Sequence, residues 1–555
     1  MLVFVLGRSF ARQRGGLDEP SALVTGALVA SAWALHPVHS AVTAYVSGRA
    51  DSLAFAGLLT AWLTWENGLR HFQRGKTTSA AFLWLAASVA MLLGMCAKEI
   101  AAMGLVLFLT YLWGFRRELG IQFKGKTTCG IALIFGIYLL LRQLPEKLAG
   151  GPAPYDFSWL QRGILFLRAL GDYGRLLVFP DRLFMERQVT WPNGLLVNSS
   201  EVDPLFPYLG WIGTSFLGLL FWSLFWQQPG RELRRLGAMW FLIMILPVSN
   251  LFPLNATVAE HWLYIPSVGF GIWLAGCWIP VRRQARGLAF GVAVAIVGAL
   301  GVRSYSRAGE WKDPVAFFEA TIRNGGDSAR MRANLAAEYW TRGDAAKVED
   351  IYRSLLKARP GNAWIEGLLA QVLLAQGKKA EADELVSNAA QHSSAAQNEQ
   401  IVLIDYQMKN KDYAGAARKA RKAYEAAPDS WMLATTLASI YRDQNRDGVA
   451  LQVIKGFVQR HWWNGEAQLE MGMLRAKTGD SEGALEAYKM AAELDVRNPE
   501  PLNLAGALLA DIGRSEEALR TVHEAIKRDP GKRQQELLRV IQAAATQRNG
   551  LEPES

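Results

Sequence analysis

Apolar and polar positions follow two different rhythms along this chain. Up to about residue 302 they come in blocks, runs of Leu, Val, Ala, Phe and Trp separated by short polar connections. A helix that crosses a bilayer needs about 17–25 mainly apolar residues. Blocks at roughly 20–35, 49–66, 79–96, 100–115, 127–142, 205–226, 236–252, 263–280 and 287–302 predict nine such helices, the shorter ones completed by their neighbours. Within the connection 143–204, residues 161–179 alternate Leu with Arg162, Arg168, Asp172 and Arg175, which predicts an amphipathic helix at the membrane surface with solvated charges. After residue 302 no run reaches membrane length.

The second rhythm has a period of 34 residues. Turn-like positions fall at Gly343, Gly377, Lys411, Asn445, Gly479 and Gly513, each 34 after the last. Small or aliphatic residues recur five positions later, from Val348 and Ala382 to Ala518, and seven positions earlier, from Ala336 and Ala370 to Gly506. Small residues at fixed offsets let two helices approach, glycine supplies the turn, and Pro360, Pro428 and Pro530 close units. The pattern resembles the tetratricopeptide repeat (TPR), in six units over 328–532 with a capping helix at 533–547 and a tail at 548–555. Such arrays stack into a solenoid whose groove usually takes a peptide or protein segment. Between the two halves, 304–327 is a connecting segment, where Asp313 can cap a docking helix that starts at Pro314.

Charge adds an orientation. The 555-residue chain carries a net +10, and its mean hydropathy of +0.07 averages two unlike halves. The basic residues of the first half cluster in alternate connections: Arg8, Arg12 and Arg14; Arg70, Arg74 and Lys76; Arg116, Arg117, Lys124 and Lys126; Arg231, Arg234 and Arg235; Arg282, Arg283 and Arg286. By the positive-inside rule these face the cytoplasm, so the N-terminus is inside and the repeats are outside. No basic and aromatic strip suggests nucleic acid. Cys96, Cys129 and Cys277 lie in or beside apolar runs and form neither a metal pattern nor a disulfide framework.

The same count places every unusual polar stretch on the outer face. These are His36-Pro-Val-His39 with Gly48-Arg-Ala-Asp51, the Lys98-Glu99 turn, and Pro247–Ser267, which contains Glu260-His261. Ionisable groups at the edge of hydrocarbon are costly and are functional candidates. His36 and His39 are three apart and share a face of a helical turn, where they can hold a phosphate, a metal or a carboxylate partner, or cap a span. Arg49 can clamp phosphate or pair with Asp51. Lys98 and Glu99 can serve a site or mark the turn. Glu260 can act as acid or base, or tie its loop to the helix at 161–179, and Asn250 and Tyr264 can support that loop.

Taken together, these stretches and their order resemble the transmembrane and TPR protein O-mannosyltransferases (the TMTC family) of the C-type glycosyltransferase superfamily. The resemblance implies an all-α protein, with a polytopic helical domain over 1–303 followed by the TPR solenoid. It implies transfer of a mannose-like sugar from a polyprenyl or dolichyl phosphate to a protein at the extracytoplasmic face. Glu260 and Asp51 would then be catalytic, with His36, His39, Arg49 and His261 on the donor phosphate and Lys98, Glu99, Asn250 and Tyr264 in support. His261 stands where the family usually has Arg, and Met1–Leu6 resembles the end of its second span. The family's acid in the first outer loop would therefore either lie upstream of Met1 or be lacking. No cofactor is defined, a divalent cation being one candidate. The expected partners are the lipid-linked donor, a protein segment in the TPR groove and the membrane, here a bacterial cell membrane. A second class of function is a non-catalytic, membrane-anchored TPR scaffold.

Overall fold

The computed structural model describes residues 1–45, 48–142, 158–187, 208–252, 254, 256–279, 285–358, 360–392 and 397–549. Arg282 and Arg283, most of the 143–204 connection and most of the tail lie outside these. Apart from one two-stranded ladder, the described residues are helices, turns and loops, and they divide into two compact units. Of the described residues, the first comprises those up to 358 and the second those from 360 onward.

The first unit is built from α1 (Leu2–Gln13), α2 (Glu19–Ala34), α3 (Ser40–Ala44), α4 (Arg49–Gln73), α5 (Thr77–Ala97), α6 (Met103–Phe115), α7 (Ile121–Leu141) and α8 (Trp159–Val178). It continues through α9 (Leu209–Phe225), α10 (Arg231–Ile245), α11 (Pro266–Trp278) and α12 (Arg286–Glu310) to α13 (Pro314–Arg323), α14 (Ala329–Thr341) and α15 (Ala345–Ala358). Local chemistry sets several starts. Asp18 accepts from Ser21 N–H to cap α2, Ser158 and Gln161 form a capping box on α8, and Asp313 accepts from Val315 N–H at 3.2 Å to cap α13.

Among the described residues, three helices are long and apolar enough to cross a membrane: α5, α7 and the Gly287–Glu310 part of α12. α2 together with Pro37–Ala44, bent by 55°, makes a fourth if the pair is one span. The remaining expected spans are shorter or carry charge. α4 holds Asp51 and Glu66, α10 opens on Arg231 and Glu232, and α11 has 13 residues. Among the described residues, length and composition therefore support three or four spans, which leaves the nine marked along the sequence unconfirmed.

Among the described residues, three basic residues of the charged connections are internal: Arg116, Lys124 and Arg234. Arg234 is fully buried and donates to the carbonyls of Trp226, Gln228, Pro229 and Gly276, each at 2.8 Å. Arg116 is buried against Glu66 at 3.0 Å, and Glu66 also accepts from Tyr111 Oη at 2.7 Å.

The helix at 161–179 differs from expectation. Its C-terminal half is buried against α9, and the two backbones touch at Gly171 and Gly213. A Cβ on Gly171 would overlap Leu209 O, and one on Gly213 would overlap Leu167 O, so glycine is what permits the contact. Asp172 and Arg175 are consequently interior, not solvated.

The second unit carries the 34-residue rhythm in its helices. α16 (Ala363–Ala375), α18 (Gln397–Lys409), α20 (Trp431–Asp443) and α22 (Gly465–Lys477) begin 34 residues apart. Each is followed by a partner: α17 (Lys379–His392), α19 (Tyr413–Ala426), α21 (Asp447–Arg460) and α23 (Ser481–Leu494). α24 (Glu500–Asp511), α25 (Ser515–Arg528) and α26 (Lys532–Asn549) complete it. The turn glycines Gly377, Gly479 and Gly513 have φ of 80°, 88° and 88°. Lys411 and Asn445, which break the glycine pattern, hold the same left-handed conformation at 63° and 57°. The recurring small residues Ala370, Ala382, Ala416, Ala438, Ala450, Ala484 and Ala518 are fully buried between paired helices.

Candidate functional site

The segment between α2 and α4 folds into a short helical turn, Pro37–His39, and then α3. Pro37 follows His36 and starts the turn with His36 as its cap. Val38 N–H donates to His36 Nδ1 at 3.5 Å, so Nε2 carries the proton and donates to Leu177 O at 3.2 Å. His39 Nδ1 faces Trp33 O at 2.7 Å and so is protonated, while its Nε2 lies 3.1 Å from Ser267 Oγ. Both imidazoles are buried, with ring centroids 5.8 Å apart.

Aromatic rings support this pair. Tyr264 stands edge-on to His39 at 5.1 Å and packs on Trp33 at 4.9 Å and Phe55 at 5.5 Å. Trp33 Nε1 donates to Tyr264 O at 2.9 Å, tying the late loop to α2. One turn of α4 before Phe55 stands Asp51, a buried carboxylate whose partner is Lys98 Nζ at 2.7 Å. Lys98 is about a quarter exposed and sits in extended backbone between α5 and the Glu99–Ala102 turn. Burial, and next the positive charge of Lys98, pull the His261 imidazole down to about 4. It is therefore neutral at physiological pH, which leaves Lys98 as the charged group beside Asp51.

The structure thus brings His36, His39 and Tyr264 into contact, with Asp51, Lys98 and His261 around them. It does not bring the rest there. Arg49 is exposed and does not pair with Asp51. Glu99 is two-thirds exposed and lies 3.7 Å from Arg142. Asn250 takes a left-handed φ of 65° and donates to Thr257 O at 2.7 Å, closing the loop at its base.

Glu260 points into a separate, fully buried charge cluster. The strands β1 (Glu186–Arg187) and β2 (Val258–Ala259) pair antiparallel, and Glu260 follows β2 directly. Its carboxylate meets Arg307 of α12 at 3.3 Å, and both side chains are inaccessible. Burial pushes the Glu260 carboxyl up to about 7, against the opposing charge of Arg307 and the N–H of Phe184. Arg307 also pairs with Glu310. On β1, Arg187 pairs with Asp172 at 3.2 Å, and Asp172 also accepts from Arg175. Glu186 pairs with Arg330 of α14, and Asn324 donates to Leu183 O at 2.8 Å.

Arg307, Arg187 and Arg330 were not marked in the sequence. Asp172 and Arg175, three apart on an amphipathic stretch, were the one available signal of a buried network.

Between α2, α11 and α12 runs an apolar cavity of about 640 Å³, lined by Leu28, Val29, Leu274, Leu288, Val292 and Ile296 among others. Ala32 and Val297 also line it, and Ala32 is one turn before His36. Among the described residues no three His, Cys, Asp or Glu side chains converge as a metal site.

No protein-family model matches the sequence. The chain is similar to curated protein O-mannosyl-transferases. It is 26% identical to TMTC4 of Mus musculus over 358 residues, 58% of this chain and 48% of that protein. It is 24% identical to Tmtc1 of Drosophila melanogaster, over 65% of this chain and 50% of that one. Human TMTC3 is 23% identical over 58% of this chain and 37% of its own length. The chain thus spans about half the length of the first two curated relatives, or less in the human case. Among solved structures, it is similar to YrrB, a TPR protein with an unusual peptide-binding site. The identity is 19%, over 36% of this chain and 98% of that one, with a TM-score of 0.27.

Proposed function

We propose that this chain is a membrane glycosyltransferase. It would move a mannose-like sugar from a polyprenyl or dolichyl phosphate to a protein hydroxyl at the extracytoplasmic face. Similarity to protein O-mannosyl-transferases supports the reaction class. The observation that carries the reading is the wall formed by His36, His39 and Tyr264 with the Asp51–Lys98 pair. The apolar cavity along α2 suits a polyprenyl tail and leads toward that wall.

Sugar transfer of this kind forms a bond from the acceptor oxygen to the anomeric carbon. The bond from that carbon to the donor phosphate oxygen breaks, and the lipid phosphate leaves with the electron pair. The acceptor proton goes to a base, which we assign to Asp51. Lys98 stabilises the leaving phosphate, with Arg49 at the outer edge, while His36 and His39, whose N–H groups are held by the carbonyls of Leu177 and Trp33, shape the wall behind it. Glu260 acts from behind, holding through Arg307 the loop that presents His261 and Tyr264, with Asn250 bracing its base. Glu99 sits at the rim. The TPR groove binds the acceptor or a partner protein. In this reading the domain order is 1–303, 304–327 and 328–532, and all nine apolar blocks cross the membrane with the N-terminus in the cytoplasm.

Transfer from a labelled mannosyl-phosphate polyprenol tests the proposal. Asp51→Asn and Lys98→Met should each lower it by about 100-fold or more while membrane insertion is kept. Unchanged transfer in both variants refutes the wall as the site. A reporter fused after Glu310 should be active only outside the cytoplasm. The second reading, a TPR scaffold, is favoured by the complete burial of Glu260 on Arg307, which is a structural use of that carboxylate. It predicts no transfer by the unaltered protein with any polyprenyl-phosphate sugar.

A further inference from the structure

The helix ends opposite the histidine wall frame a cleft that sugar transfer does not use. α1 packs on α4 there, and α5 also packs on α4. A cavity of about 330 Å³ is lined by Val5, Arg8, Ser9, Arg12, Gln13 and Arg70. A second of about 300 Å³ shares Val5, Ser9 and Arg70 with it and adds Leu63, Thr64, Asn67 and Leu83 among others. The two form one space with a charged end and an apolar end.

The spacing of the lining residues sets its depth. Val5 is seven residues before Arg12 and Leu63 is seven before Arg70, about 10 Å along each helix axis at about 1.5 Å per residue. Leu83 is six residues into α5 and reaches a similar level. An arginine layer therefore lies below a leucine and valine layer by about the distance separating a phospholipid headgroup from its upper chains.

The charge at the lower layer is unbalanced. Arg8 and Arg12 share one carboxylate, Glu19, at 2.6 and 2.8 Å. Arg70 has no ion-pair partner among the described residues. Glu66 lines the upper cavity, but its carboxylate is taken by Tyr111 and Arg116. Among the described residues, the three guanidinium groups at this end of the cleft thus have one carboxylate, Glu19, between them. Basic pockets between membrane helices bind anionic headgroups, and the guanidinium fork matches phosphate oxygens.

We infer that this cleft is a binding site for an anionic phospholipid. Arg12 and Arg70 hold its phosphate, Ser9 and Gln13 supply further donors, and an acyl chain lies along Val5, Leu63 and Leu83. A free phosphate would use the same arginines and leave the apolar layer empty. The inference depends on membrane insertion and not on sugar transfer.

The test uses the full chain in mild detergent, offered phosphatidylglycerol or phosphatidylcholine, with lipid retention read by native mass spectrometry. Phosphatidylglycerol should be retained about tenfold more. An equal concentration of inorganic phosphate should not displace it. The double variant Arg12→Gln/Arg70→Gln should lose the preference, and Arg12→Lys/Arg70→Lys should keep most of it. Equal retention of the two lipids overturns the inference, as does full displacement by phosphate or a preference unchanged in the glutamine variant. If that variant does not fold, the lipid and phosphate comparisons on the unaltered protein decide. Sugar transfer measured on the same samples separates the ideas. Transfer without lipid preference overturns only the cleft, and lipid preference without transfer supports the cleft while removing the enzyme.

Discussion

In the first unit a critical contact is made once. Glu260 has Arg307, Asp172 has Arg187 and Arg175, and Asp51 has Lys98, and among the described residues none of these pairings recurs at a fixed offset. In the repeat array each contact is made many times over at the same offset. The left-handed turn residue stands at Gly377, Lys411, Asn445, Gly479 and Gly513, and the array absorbs two non-glycine residues in that list. Singular buried charge gives specificity of position and no tolerance, because a lost partner leaves an ion without water. Repetition spreads each local cost over a row of equivalent joints.

Four substitutions or conditions put that contrast to the test. The largest effect is expected from Arg307→Met, which strands Glu260 in a fully buried site. It should cost about 3–5 kcal/mol, read as a lowered midpoint of thermal unfolding in detergent. A loss below about 1 kcal/mol would place this contact with the tolerant ones. Next comes pH. The Glu260 carboxyl is raised from 4.5 to about 7, so the folded state binds its proton more tightly than the unfolded state. Its contribution is full below 4.5 and is lost as pH rises through 7. Glu260→Gln should flatten stability across that window relative to the unaltered protein, and an unchanged slope would contradict the assignment.

In the array, Ala438→Leu inserts bulk into a closed helix pair and should cost about 1–3 kcal/mol by the same measurement. The smallest effect carries the opposite sign. Lys411→Gly relieves a left-handed lysine at φ 63° and should stabilise by about 0.5–1 kcal/mol. Destabilisation there would mean that the lysine side chain contributes more than its backbone costs.

The array was readable in the sequence because its determinants are local and repeated. Ala382, Ala416, Ala450, Ala484 and Ala518 each report a helix contact within their own hairpin, and five concordant copies outweigh the irregular Ile404. In the first unit the polar stretches were readable but their partners were not. Asp51 stands two residues from Arg49, yet its cation is Lys98, 47 residues away. Arg307 is likewise 47 residues from Glu260, and no period links them. The strands β1 and β2 are two residues each, too short for alternation to show. The charges of α8 looked solvated because amphipathic spacing is the same whether the polar face meets water or a buried ion.

The grip of Arg330 on Glu186 bears on where this protein can be divided. Arg330 belongs to the first helical hairpin of the repeat, and that hairpin falls in the same compact unit as the helices before it. A chain ended after Ala358 keeps the cation with its carboxylate. A chain ended at residue 327, where the repeat begins by sequence, removes Arg330 and leaves Glu186 among buried neighbours. The first hairpin thus follows the repeat pattern in sequence yet packs with the preceding region, so the division falls after Ala358 and not at residue 327.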